Sequence, residues 1–244
     1  MMRASFSHEM PNSGDWEIEL LSAGMKPDSH PEKSAELLTE AKTTGVQNED
    51  LIRLRREQIC DAALELFLDK GFAATTIRDI CALSGVNQAS IYDYIANKND
   101  ILRRLMNQLW FRTDVPSLPD VLSDQSRSLE EAFEVYFRET WSAKRKSTLL
   151  VYRSVPHMLE EDRKAMRAHD LALIKSLSHQ LRKRTGNSDD DSRIEIMANM
   201  LIFLSAFAPM RDWLTRDTPD ELVVQTVSAG AAAMLRHLME TPAS

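Results

Sequence analysis

The chain reads as all-α, with a small N-terminal helical unit followed by a larger helical domain. Its 244 residues hold only 7 glycines and 9 prolines, too few breakers for a fold of many short strands and turns. From Asp50 onward, apolar residues recur every three or four positions, which is the spacing of one helix face. Between these runs stand residues that start and stop helices. Thr76, Asn87 and Asn97 precede apolar sets, and Gly71 and Gly186 follow them.

Residues 1–47 are rich in Ser, Glu, Pro and Lys and lack sustained periodicity, so they are expected to form a disordered extension, with Glu17 to Leu21 as one helical turn at most. Residues 48–112 form the next unit. Its first helix carries Ile52, Ile59, Ala62, Ala63, Leu66 and Phe67 and is closed at Gly71. Thr76 with Asp79 is a capping box opening a short helix through Ile77, Ile80 and Cys81, broken at Ser84-Gly85. Asn87 caps a short helix from Gln88 to Ile95. Asn97 with Asp100 opens a fourth helix through Ile101, Leu102, Leu105 and Met106, ending near Arg112.

Residues 113–244 form the second domain. Pro116 to Pro119 reads as a linker. Leu129 to Trp141 is a helix with Phe133, Phe137 and Trp141 on one face, and Thr148 to Met158 is a shorter one. Glu160 to Arg184 is long, amphipathic and stopped by Gly186. Asp189 to Asp191 suits the N-terminus of the following helix, Ser192 to Leu214, which is strongly apolar and bent at Pro209. Pro219 stands early in a last helix through Val223, Val224, Val227, Ala231 and Leu235.

The net charge is −7 but unevenly spread: −6 over residues 1–52, +2 over 53–112 and −3 over 113–244. The middle stretch alone is not acidic, a mild bias that makes no nucleic-acid footprint by itself. With no run of about 18 uncharged apolar residues, a membrane span is not expected. Nor does a basic-then-apolar stretch open the chain as a secretory signal does. Two cysteines, Cys60 and Cys81, cannot build a disulfide framework or a four-ligand zinc site, and a reducing cytoplasm is the expected compartment. The six histidines fall at no chelating spacing. No H-E-x-x-H, G-x-S-x-G or phosphate-loop pattern occurs. No enzyme, cofactor or metal is therefore expected.

Two short helices meeting across Ser84-Gly85-Val86 form a helix-turn-helix. Gly85 permits the sharp turn and Val86 drops into the core beneath. The following helix is polar outside, through Gln88, Ser90, Tyr92 and Asp93, groups able to bond phosphates or base edges. From spacing alone, an ordinary helical hairpin remains the alternative. The stretch Arg56 to Leu105 also resembles the DNA-binding domain of the TetR family of transcriptional regulators. The resemblance rests on Ala62-Ala63, Leu66-Phe67, Gly71-Phe72, Thr75 to Ile80, Gly85-Val86, Ser90 to Tyr94 and Lys98 to Leu102.

That resemblance implies a three-helix helix-turn-helix DNA-binding domain joined to a helical ligand-binding and dimerisation domain. Thr76 is implied to meet a phosphate at its helix N-terminus. Gln88, Ala89 and Ser90 would face the major groove, Tyr92 would touch backbone and bases, and Tyr94 and Lys98 would each reach a phosphate. Ala89, Ile95 and Cys81 depart from the family's frequent glycine, phenylalanine and alanine, which leaves the operator sequence open. The implied assembly is a homodimer through the last two helices, reading a palindrome of double-stranded DNA. The implied function is ligand-responsive repression. The alternatives are an activator, or a helical ligand-binding protein or enzyme with a vestigial DNA-binding domain. Ligand-pocket candidates are Trp141, Arg153, His157, Phe203, Arg211 and Trp213. The runs Leu159 to Arg163 and Arg211 to Glu221 are loosely similar to the acyl-CoA-responsive branch, so an acyl-CoA is the candidate effector.

Overall fold

The structure is a computed structural model that describes residues 38–42, 48–111, 114–186 and 191–240. Among them are ten α-helices and no strand. In chain order these are α1 (Glu49–Asp69), α2 (Ile77–Ser84), α3 (Lys98–Leu109), α4 (Leu118–Ser123), α5 (Leu129–Ala143), α6 (Arg145–Ser154), α7 (Glu160–Thr185), α8 (Arg193–Leu204), α9 (Phe207–Thr215) and α10 (Asp220–Glu240). Short 3-10 turns lie at Ile91–Asp93 and Val155–His157.

The predicted start and stop signals work through local chemistry. Asn48 accepts from the Leu51 amide and opens α1. The Thr76–Asp79 capping box is fully made, and Gly85 closes α2 at φ +70°. Gly71 and Gly186 also have positive φ. Ser117 and Ser128 make further capping boxes for α4 and α5.

Two apolar clusters hold the fold. The first joins Ile59, Ala63 and Phe67 of α1, Ile80 of α2, and Ile91 and Ile95 to Ile101, Leu105 and Met106 of α3. It also takes Leu150 and Val151 from α6 and Met166 from α7. The core of the helix-turn-helix unit therefore takes in residues of the second domain. The second cluster packs α4, α5, the C-terminal part of α7, α8 and α10, through Leu122, Phe133, Phe137, Leu177, Leu181, Leu201 and Leu235. Phe133, Phe137 and Trp141 stack along α5 with centroids 6.1 and 5.0 Å apart. Helix α10 has the length and apolarity of a membrane span. One of its faces, Val224, Ser228, Ala231 and Leu235, is buried in the protein.

The structure departs from the sequence expectations in five places. Residues 88–95 are not an α-helix but a turn followed by the 3-10 turn Ile91–Asp93. Asn87 Oδ1 accepts from the Ala89 amide at 2.8 Å, and the Ser90 hydroxyl donates to the Asn87 carbonyl at 3.2 Å. These local bonds compete with a regular helix ladder. Pro116 to Pro119 is not a plain linker, since α4 begins at Leu118 with Pro119 in its first turn. Thr148 to Met158 becomes α6, which starts at Arg145, plus a 3-10 turn.

The helix expected from Ser192 to Leu214 is two helices bent by 46°. The break falls at Ser205-Ala206, one turn ahead of Pro209, because proline lacks the N–H that would bond the Ser205 carbonyl. The Trp141 indole N–H takes that carbonyl instead, at 2.9 Å. Finally, the stretch expected as a disordered extension includes 38–42, which is placed against the fold outside any helix, with Leu38 only 1% exposed. Glu17 to Leu21, Asp189 and Asp190 lie outside the described residues, as does Arg112.

Candidate nucleic-acid interface

The capped N-terminus of α2, the loop after Gly85 and the turn at 88–93 present the polar groups of the candidate interface. At the cap of α2, the Asp79 carboxylate accepts from the Thr76 amide at 2.9 Å and the Thr76 hydroxyl at 2.8 Å. The Thr76 hydroxyl in turn accepts from the Asp79 amide at 3.1 Å. Lys70 Nζ adds a contact to the same carboxylate at 2.6 Å. The Lys70 and Thr76 bonds hold the Asp79 pKa far below the ordinary carboxylate value. The Thr76 side chain is thus already engaged within its own cap. Arg78, exposed on the first turn of α2, was not singled out from the sequence and adds a cation beside that terminus. Its signal was its place two residues after the cap.

After the Gly85 turn, Val86 is buried, whereas Asn87, Gln88 and Ala89 are exposed. Ile91 and Ile95 are fully buried one turn apart and anchor the segment. Tyr92, between them in sequence, points away from the core and is 54% exposed. Ser90 and Asp93 are half-buried. Gln88, Ala89 and Tyr92 therefore share the outer surface of the segment.

Tyr94 and Lys98 stand differently. Tyr94 is buried at 8% exposure among the residues of the first core. Its carbonyl accepts from Arg56 Nε at 2.9 Å, which ties α1 to the end of the segment. Lys98 Nζ donates to the carbonyls of Phe72 (2.7 Å), Thr75 (2.8 Å) and Ala73 (3.4 Å). It also lies 4.4 Å from the centroid of the Phe72 ring. An ammonium has three N–H donors, and here all three face the turn between α1 and α2. Burial pulls its pKa below the ordinary lysine value.

The six ligand-pocket candidates do not converge. Trp141 lies in the second core and bonds the Ser205 carbonyl. Arg153 reaches the Leu68 carbonyl near the end of α1. His157 stacks on Phe72 at 6.2 Å, also against the helix-turn-helix unit. Phe203, 57% exposed, contacts Tyr152 edge-on at 6.1 Å. Arg211 lies 5.7 Å over the Trp213 ring, and that ring is 63% exposed. Near Phe203, Ile196, Asn199, Met200, Leu204 and Met234 complete a shallow apolar groove of about 410 Å³.

Residues 59–105 match the family model described as bacterial regulatory proteins, tetR family. The HTH-type transcriptional regulator HbdR of Aromatoleum sp. strain CIB is 31% identical over 132 residues, which cover 53% of this chain and 54% of that protein. The HTH-type transcriptional repressor KstR2 of Rhodococcus jostii strain RHA1 is 30% identical over 115 residues, 45% of this chain and 54% of that protein. The chain thus spans about half the length of these curated relatives. The fatty acid degradation regulator FadR from Bacillus halodurans is similar in structure, with a TM-score of 0.52 at 15% identity over 74% of this chain and 94% of that one. Reduced NemR of E. coli gives 0.52 at 18% identity over 78% of this chain and all 100% of that one. At such identities the likeness is one of fold.

Proposed function

We propose, from the match of residues 59–105 to the tetR family of bacterial regulatory proteins, that this chain is a DNA-binding transcriptional regulator of that family acting as a homodimer on a palindromic operator in the cytoplasm. One observation carries the reading. A short segment is anchored by two fully buried isoleucines, Ile91 and Ile95, and turns Gln88, Ala89 and Tyr92 outward. Such a rigid polar edge suits insertion in the major groove, with the capped terminus of α2 and Arg78 beside the phosphates. The Lys98 ammonium serves by holding the turn that places α2.

One such edge makes few contacts, and two related by a dyad read two half-sites one helical turn apart. The second copy docks on the outer face of α8, α9 and α10. Ile196, Met200, Phe203, Trp213 and Leu222 on these helices are all exposed, and large exposed apolar patches mark interaction sites. The apolar groove beside Phe203 supports this choice of face.

The regulatory sense is repression relieved by a small effector. The shared first core, the Arg153–Leu68 bond and the Arg103–Asp162 pair at 2.8 Å between α3 and α7 connect the two domains mechanically. An effector that binds the DNA-incompetent arrangement more tightly shifts the population away from the operator-spaced state. An acyl-CoA thioester is the effector class to try first. The fold is shared with a fatty acid degradation regulator, and the second domain is rich in apolar side chains.

The test is selection of bound sequences from a random duplex pool at moderate salt, with and without acyl-CoA thioesters. Recovery of a palindrome is expected, with recovery reduced by the thioester. A folded dimer that enriches no sequence under either condition overturns the reading.

A further inference from the structure

The segment 38–42 runs as a strap along one face of α3, bonded to Asp100, Arg104 and Asn107. Both backbone polar groups of Leu38 pair with the Asn107 side chain, N–H to Oδ1 at 3.1 Å and carbonyl from Nδ2 at 2.8 Å. The Ala41 carbonyl accepts from Arg104 Nη2 at 2.7 Å, and Glu40 pairs with Arg104 Nη1. The Leu38 side chain enters the first core.

The central group is Asp100, a carboxylate with only 2% exposure. One of its oxygens accepts from the strap, the Ala41 amide, at 2.8 Å. The other accepts from the Ala96 amide at 3.0 Å, directly behind the segment that carries Tyr92 and Ile95. Arg104 Nε, at 3.3 Å, balances its charge. Beside Asp100 and Asn107 on α3, Arg103 grips Asp162 with Nε at 2.8 and 3.0 Å and Glu161 with Nη2 at 2.8 Å, both on α7. It also reaches the Thr39 carbonyl at 3.5 Å. The strap thereby bonds α3 directly and is linked through Asp100 to the exit of the recognition segment and through Arg103 to α7.

We propose that the strap is a positioning element for operator binding, with Asp100 as the positioning residue that passes its seating to Ala96 and so to the recognition segment. The proposal rests on the DNA-binding reading above. Seating fixes the backbone behind Tyr92 before DNA arrives, so less conformational freedom is lost on binding. An unseated strap leaves Asp100 with one oxygen unbonded by protein, and the Ala96 anchor loosens. Whatever unseats the strap can then tune DNA affinity without touching DNA.

The test uses the full chain and three variants. Ala41→Pro removes the amide that Asp100 accepts. Leu38→Lys places a charge where the strap enters the core. Deletion of residues 1–37 leaves the strap intact and is the control. Operator affinity, its salt dependence, amide exchange at Ala96 and thermal stability are measured for each.

Both strap variants are expected to bind the operator about tenfold more weakly, within the range of coupling between distinct sites. Their salt slope should be unchanged and Ala96 exchange faster, while the deletion should match the parent. Unchanged affinity in both strap variants overturns the proposal. So does a salt slope lowered by about one, which would make the segment a direct phosphate contact. A loss of affinity explained by the unfolded fraction alone, with Ala96 exchange unaltered, overturns it too. Failure of the parent to bind any operator would instead reject the DNA-binding reading, and the Ala96 exchange would still report whether the strap anchors that amide.

Discussion

At the scale of single residues, similar expectations separate into different jobs. Tyr92 is exposed and makes none of the core contacts that Tyr94 makes. Tyr92→Ala should therefore weaken operator binding by about 1–3 kcal/mol and leave the melting temperature in place. Equal affinity for variant and parent would displace the recognition surface. Lys98→Met should do the reverse. It removes the donor to three carbonyls and should cost about 1–3 kcal/mol of stability, while the salt slope of DNA binding stays as in the parent. A slope reduced by about one would return Lys98 to a phosphate. Asp79 has a pH signature. Its folded pKa is depressed by Lys70 and Thr76, so its contribution is present above the unfolded carboxylate pKa of about 3.9 and lost as pH falls through the folded value. The stability gap between the parent and Asp79→Asn should narrow as urea titrations move to lower pH in the acid range. These jobs were only partly legible in the sequence. The motif placed Lys98 and Thr76 near DNA, but their partners are set by a turn whose geometry no local pattern spells out.

At the scale of elements, the caps were legible because a cap is local chemistry within four residues. Thr76, Asn97 and the glycines at positive φ all acted as their types dictate. The 3-10 form of residues 91–93 was not legible, since Asn87 and Ser90 favour a helix start and a tight turn equally well. The break ahead of Pro209 was half legible. A proline inside an apolar helix announces a bend, but its position follows from a carbonyl four residues earlier and from Trp141, 64 positions away in sequence. Trp141→Phe should thus cost about 1–3 kcal/mol, because the Ser205 carbonyl loses its indole donor. Chemical denaturation measures it, and a change within error would mean another donor takes over. Gly85→Ala should cost about 1 kcal/mol. The added methyl meets nothing within 4 Å, so the backbone conformation alone sets the penalty.

At the scale of the whole molecule, the first core borrows Leu150, Val151 and Met166 from α6 and α7, so the two helical parts share packing. The sequence offered a boundary near residue 113, because the charge balance and the Pro116 to Pro119 stretch change there. It could not reveal the sharing, since α3 and α7 meet through Arg103 and Asp162, 59 residues apart. The strap was illegible for the same reason. A polar stretch resembles a solvated tail until Asp100, Arg104 and Asn107 are seen to bond it. The exposed face of α8 and α9 carries the assembly prediction. Phe203→Glu should shift the purified chain from dimer to monomer in sedimentation and abolish tight operator binding. A dimer that survives Phe203→Glu and Ile196→Glu together would place the interface elsewhere.

The two buried thiols have a practical corollary. Burial pushes the Cys60 pKa up to about 12 and raises that of Cys81 as well, and thiols held protonated in a core react poorly with alkylating labels. A cysteine introduced at exposed Gln88 would therefore be the sole readily labelled thiol in each subunit. A pair of spin labels there would make the proposed dimer its own ruler. Dipolar spectroscopy would read the separation of the two reading edges directly, roughly 34–36 Å in the operator-competent form, and would follow it as candidate effectors are added.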